Sequence, residues 1–93
     1  MMIFYYNPDN MDIIEFQHRN RQTIHELTIQ AIKKCLDSDL DKLSFMKIKP
    51  DNEVYVIRRP SFKESLTKAK SYFESVEMYE KCSECVELLK LID

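Results

Sequence analysis

Glycine is absent from all 93 residues. Phosphate-cradling loops and dinucleotide-binding turns depend on glycine for close backbone approach, so their usual forms are excluded. A nucleophile elbow of the G-x-S-x-G type is excluded with them. Long apolar runs are missing too, and none approaches the roughly 20 residues that a membrane helix needs. The chain opens on apolar residues but shows neither a basic stretch nor a small-residue cleavage site, so no signal peptide is expected. Cysteines are few, at three. An odd count, with Cys82 and Cys85 only three apart, is poor material for a disulfide framework. A reducing, cytoplasmic location follows as the expectation.

What is present fits a soluble globular domain: 44% of residues are hydrophobic and 32% charged. The length predicts one domain over residues 1–93. Charge is unevenly spread. Residues 1–73 hold 12 Lys/Arg against 10 Asp/Glu, whereas residues 74–93 hold 2 against 6. This balance does not indicate a strongly basic nucleic-acid binder.

Without glycine, the turns must use Asn, Asp and Pro. The aromatic and branched run Met2–Tyr6 reads as a strand. "NPDN" (7–10) then turns the chain, and Asp12–Phe16 is expected to return as a second strand; a helix from there through residue 37 is the alternative. "TIHE" (23–26) has the form of a capping box. Ile24, Leu27, Ala31, Ile32, Cys35 and Leu36 then share a helical face, and "DSD" (37–39) ends it. Leu43–Ile48 and Val54–Arg59 flank "KPDNE" (49–53) as a hairpin. "SFKE" (61–64) is a second capping box, followed by a stripe at Phe62, Leu66, Ala69, Phe73 and Val76. The stripe then changes phase and resumes at Tyr79, Cys82, Val86 and Leu89, with Cys85, Leu88 and Ile92 alongside, which predicts a turn between two antiparallel helices near Ser75–Met78, one long bent helix being the alternative. The expected fold is therefore α+β, in the order β-β-α-β-β-α-α. Residues 1–60 would form an antiparallel sheet with one helix, and residues 61–93 a helical hairpin.

No catalytic or cofactor constellation emerges, so a non-enzymatic role without cofactor is expected. Cys82 and Cys85 are the metal candidates, and they supply two of the four ligands that zinc normally takes, so that Cys35, His18 or His25 would have to complete the set. They lie mid-helix beside Val86 and Leu89, among acidic neighbours that disfavour a thiolate, so they read as packing residues. "DSDLD" (37–41) opens like a calcium loop, but Lys42 and Ile48 stand where Gly and Glu are needed. His18 and His25 are too far apart on a helix to share a metal, and His25 reads as a surface residue. Lys47, Lys49, Arg58, Arg59 and Lys63 form a basic group around the hairpin. With Tyr55 it suits a phosphate backbone or an acidic protein surface.

The run "YEKCSE" (79–84) resembles the second helix of the UVR-type helical hairpin, where Tyr-Glu-Arg/Lys, two small residues and Glu follow an acidic turn. Cys82 and Ser83 stand at the small positions, and Val86 and Glu87 replace that family's Arg-Asp pair. The resemblance spans about residues 66–92 and implies a protein-docking element. The first expectation is thus a protein-binding module, with Tyr5, Tyr6, Tyr79, Glu80, Glu84 and Glu87 as contact residues. Its size, lack of glycine and lack of a targeting signal also resemble accessory proteins of bacteriophages and mobile elements, which act on host proteins. A nucleic-acid-binding regulator built on residues 47–63 is the alternative. A homodimer is a further route to burial, because the hairpin stripes suit a second copy as well as the sheet. No membrane partner is expected.

Overall fold

Asp12 decides the first departure from that outline. Its carboxylate accepts from the Glu15 backbone N–H at 2.8 Å and caps a helix, α1 (Ile13–Arg19), where a second strand was expected. Ile13 and Phe16 turn inward one helical turn apart, which a period-two strand would not allow. Asn20 ends α1 and starts α2 (Arg21–Ser38), its side-chain amide donating to the Phe16 carbonyl at 2.8 Å. The computed structural model describes residues 1–92. Within it, β1 (Met2–Tyr5) precedes α1, and β2 (Lys42–Lys49) and β3 (Glu53–Arg58) follow α2. A 3-10 turn over Arg59–Ser61 leads to α3 (Phe62–Ser75) and α4 (Tyr79–Ile92). The order is β-α-α-β-β-α-α, so two helices, not one, lie within residues 1–60.

The sheet order is β1-β2-β3. The β2–β3 hairpin is antiparallel as expected, turning through Asn52 at φ 56°. However, β1 runs parallel to β2, so the sheet is mixed. The parallel pair explains the missing hairpin at the N-terminus, because parallel neighbours require a long crossover and α1 with α2 supplies it. A bulge between Ser44 and Met46 shifts the β2 register. It brings Leu43, Phe45, Met46 and Ile48 all to the helical side, which strict alternation would forbid.

Two clusters fill the interior. The smaller is centred on Phe16, Met46 and Ile48, with Phe4, Tyr6 and Tyr55 around them. The larger joins Ile29, Ile32 and Cys35 of α2 to Ile57 of β3, Phe62, Leu66, Ala69 and Phe73 of α3, and Cys82, Cys85 and Leu88 of α4. Four of the five expected α3 stripe residues are buried; Val76 lies beyond the helix end and is exposed. On α4 the buried stripe is Cys82, Cys85 and Leu88, and Tyr79 stands outside it.

Helix ends use left-handed residues that are not glycine. Asp39 (φ 54°) closes α2, and Leu40 N–H bonds back to the Cys35 carbonyl at 2.8 Å. Glu77 (φ 59°) closes α3, with Met78 N–H on the Phe73 carbonyl at 2.8 Å and Glu77 N–H on the Glu74 carbonyl at 3.1 Å. This is the Schellman arrangement, which turns the chain sharply into α4. Neither expected capping box forms: Thr23 lies inside α2, and Ser61 sits in the 3-10 turn without a side-chain cap bond.

His25 is not a surface residue. It is half-buried between α2 and α3, stacked on Tyr72 at 5.0 Å and edge-on to Phe73 at 6.1 Å. Burial holds its pKa below the ordinary imidazole value, and Arg21 on α2 adds repulsion. The unfolded chain therefore binds this proton more readily. Stability from the neutral ring is present above about pH 6.5 and is lost as pH falls from there through the folded pKa. Urea midpoints are expected to drop between neutral pH and pH about 5, and more steeply than in a His25→Gln variant. Parallel profiles for the two proteins would show that His25 carries no such linkage.

Candidate binding face

Alternation along the strands sorts their side chains onto two faces. Phe4, Met46, Ile48, Tyr55 and Ile57 turn toward the helices. The other face is reached through the register. Tyr5 pairs with Lys49, Ile3 with Lys47, Lys47 with Val54, Ser44 with Val56, and Lys42 with Arg58. Paired residues share a face, so these nine side chains form one surface. Ile3 (46% exposed), Val54 (44%), Val56 (37%) and Tyr5 (71%) remain open there.

The charge on this face has one sign. Lys42, Lys47, Lys49 and Arg58 are its only ionisable groups besides Tyr5, and none has an ion-pair partner among the described residues. Lys47 stands between Ile3 and Val54, with apolar side chains on both sides.

The acidic hairpin surface differs. Glu84 is drawn against Lys33 of α2 and also pairs with Lys81 at 3.6 Å. Glu74 pairs with Lys70 at 2.7 Å and Glu87 with Lys90 at 3.4 Å. Of the contact residues expected on the hairpin, Tyr79, Glu80 and Glu87 are exposed, while Glu84 is committed to internal contacts. Most of the negative charge on α3 and α4 is thus answered within the chain.

The expected basic group divides. Lys47, Lys49 and Arg58 lie on the open face. Arg59 turns the other way and clamps the end of α2 to the start of β2. It donates to the Leu40 carbonyl at 2.8 Å and pairs with Asp41 at 3.2 Å and Asp39 at 3.5 Å, with its guanidinium 5.6 Å from the Phe62 ring centre. Lys63 is in the first turn of α3 and lines a groove with Leu36, Phe62 and Leu91, on the helical side. Tyr55 is inward, edge-on to Phe45 at 6.4 Å and accepting from the Gln17 amide.

The two N-terminal tyrosines separate as strand neighbours must. Tyr5 is open beside Lys49. Tyr6 turns in against Phe16, ring centres 5.5 Å apart, and its hydroxyl donates to Asp51 at 2.5 Å. That hydrogen bond pushes its pKa up to about 12. Tyr6 therefore braces the strand, on the opposite side from Tyr5.

Cys35, Cys82 and Cys85 are buried free thiols. Burial pushes the Cys35 and Cys85 thiols up, with Cys82 adding to the effect on Cys85. The Cys82 Sγ lies 3.6 Å from the Lys70 carbonyl, where the small side chain lets α3 and α4 approach closely. Among the described residues no three His, Cys, Asp or Glu side chains gather as a metal would require, and no helix is long and apolar enough to cross a membrane.

Sequence reasoning missed Ile3, Lys42, Ser44, Val54 and Val56 as members of the face. The alternation Val54-Val56-Arg58 was the available signal for the two valines. No protein-family model, curated protein or solved structure matches the chain.

Proposed function

We propose that this chain is a non-enzymatic protein-binding module that docks its partner on the open face of the sheet. One observation carries the reading. The parallel pairing of β1 sets Ile3 and Tyr5 beside Lys47 and Lys49, completing a surface on which Ile3, Val54 and Val56 of the outer strands stand open on either side of the cations of β2. Open apolar side chains gathered with cations on one sheet face are the kind of surface that marks a protein-contact site. The resemblance of the C-terminal hairpin to a docking element supports a binding role in the same sense. A second reading, a single-stranded nucleic acid on the same face, is favoured by the four cations without a carboxylate. It is the weaker one, because only Tyr5 offers a ring for a base to stack on.

Capture from a cell lysate tests the proposal with three baits: the wild type, an Ile3→Glu/Val56→Glu variant and a Glu80→Lys/Glu87→Lys variant. The expected result is a set of proteins held by the wild type and the hairpin variant and lost with the face variant. Proteins lost only with the hairpin variant would move the site to α4. Nuclease-sensitive capture that weakens steeply with salt would favour the second reading.

A further inference from the structure

We infer that β3 is the seam of a homodimer, its free edge pairing antiparallel with β3 of a second copy of this chain. The inference stands on the edge of the strand and not on what the open face binds. β3 ends the sheet, with β2 on one side and no strand on the other. Backbone groups in an antiparallel pair turn alternately toward and away from the neighbour. The Arg59 N–H donates to the Asp41 carbonyl, at the start of β2, at 2.8 Å. Counting back by twos, Ile57, Tyr55 and Glu53 also bond toward β2. Val54, Val56 and Arg58 therefore turn their N–H and C=O groups outward, and among the described residues no backbone bond outside the ladder engages them.

This edge lacks the usual guards, which are lysine, proline, a bulge or a covering segment. Between Glu53 and Arg58 it reads Val54-Tyr55-Val56-Ile57, residues of strong strand preference with neither charge nor proline among them. The bulge of the sheet lies on β2. α2 and α3 leave a groove of about 380 Å³ along β3, with Thr28, Tyr55 and Ser65 in its walls, so side chains of an added strand have room there.

The edge also fits itself. Outward groups can bond only to outward groups, so registers shifted by one residue are closed. A shift of two sets Arg58 against Asn52, which lies in the turn at φ 56°, or Val54 against Pro60, which has no N–H. The remaining register centres on Val56 opposite Val56, with Val54 opposite Arg58 on each side. All three residues then exchange their backbone bonds across a two-fold axis. On the open face, Val54 and Val56 of both copies make one apolar seam, covered at its ends by the Arg58 stems. On the helical side, Tyr55 meets Ile57 and Glu53 meets Arg59, so no like charges stand directly opposite each other.

Sedimentation equilibrium over a range of concentrations, with amide exchange followed by NMR, tests the inference. The wild type is expected to dimerise reversibly, and exchange at Val54, Val56 and Arg58 should slow as concentration rises. Val56→Lys sets two like charges opposite each other from an exposed position, and should raise the dimer dissociation constant roughly tenfold or more while the monomer stays folded. Val56→Pro removes an outward N–H, which an edge strand tolerates, and should act in the same direction. The wild-type exchange pattern decides even where a variant fails to fold. A monomer at every concentration up to the millimolar range would overturn the inference. So would a dimer that both variants leave intact, or one whose concentration-dependent protection falls on α4 instead of β3.

Discussion

Replacing Phe73 with alanine is expected to remove roughly 3–5 kcal/mol of stability. A domain of this length has only about 5–14 kcal/mol in total, taking roughly 0.05–0.15 kcal/mol per residue. The substitution therefore brings the chain near its unfolding threshold. Phe73 is fully buried where α3 meets both α2 and α4. Its ring lies 5.3 Å from Tyr72 and 6.1 Å from His25, centre to centre, and its carbonyl receives the Met78 N–H that closes the helical turn. The surrounding side chains sit on three helices packed against one another, with α3 and α4 joined by a short turn, so they collapse poorly into the space left behind. Urea unfolding followed by circular dichroism measures the loss. A Phe73→Leu variant keeps most of the volume and should cost less than half as much. A loss below about 1 kcal/mol for the alanine variant would mean that this seam is not where the helices are held.

Phe16→Ala is expected to act on a different part of the molecule and to abolish partner binding without touching the binding face. Phe16 belongs to the smaller cluster, with Phe4 edge-on at 6.1 Å and Tyr6 tilted against it at 5.5 Å. β1 is a four-residue edge strand, held by one ladder to β2 and by this cluster. Removing the ring costs about 3–5 kcal/mol where the strand is docked. Amide hydrogen exchange should then show β1 and α1 losing protection while α2, α3 and α4 keep theirs. Because β1 supplies Ile3 and Tyr5, the open face loses one of its three strands and the docking surface goes with it. Uniform loss of protection along the chain would show instead that the two clusters unfold as one unit.

Local signals were readable in the sequence, and neighbours distant in the chain were not. The α3–α4 hairpin follows from the stripe at Phe62, Leu66, Ala69 and Phe73 and its change of phase, because a helix writes its buried face at fixed spacing. The β2–β3 hairpin follows from Pro50, Asp51 and Asn52. Residues 12–22 read as a strand because Ile13-Ile14 and Phe16 suit one by composition, whereas the cap at Asp12 makes them helical. The parallel pairing of β1 with β2 leaves no local mark, since it depends on strands some forty residues apart. Thr23 and Ser61 show a related limit: the letters of a capping box are present, but each helix begins where the chain enters its packing. For the binding face, alternation along β3 already separates Arg58 from Tyr55 and Arg59. Lys42 and Ser44 join Lys47 on one face only through the bulge between Ser44 and Met46, which no residue there announces.

The absence of glycine has a consequence in the unfolded chain. Asp39, Asn52 and Glu77 each hold a left-handed backbone that costs an L-residue roughly 1–2 kcal/mol in the native state. A glycine at any of them would relieve that strain, but it would also widen the range of shapes open to the denatured chain, at a cost of about 0.4–1 kcal/mol. A 93-residue protein without glycine thus starts folding from a stiffer ensemble and has less conformational entropy to lose. Part of what holds this small domain together is therefore a property of the state it leaves, offset against local strain at three turns in the state it reaches.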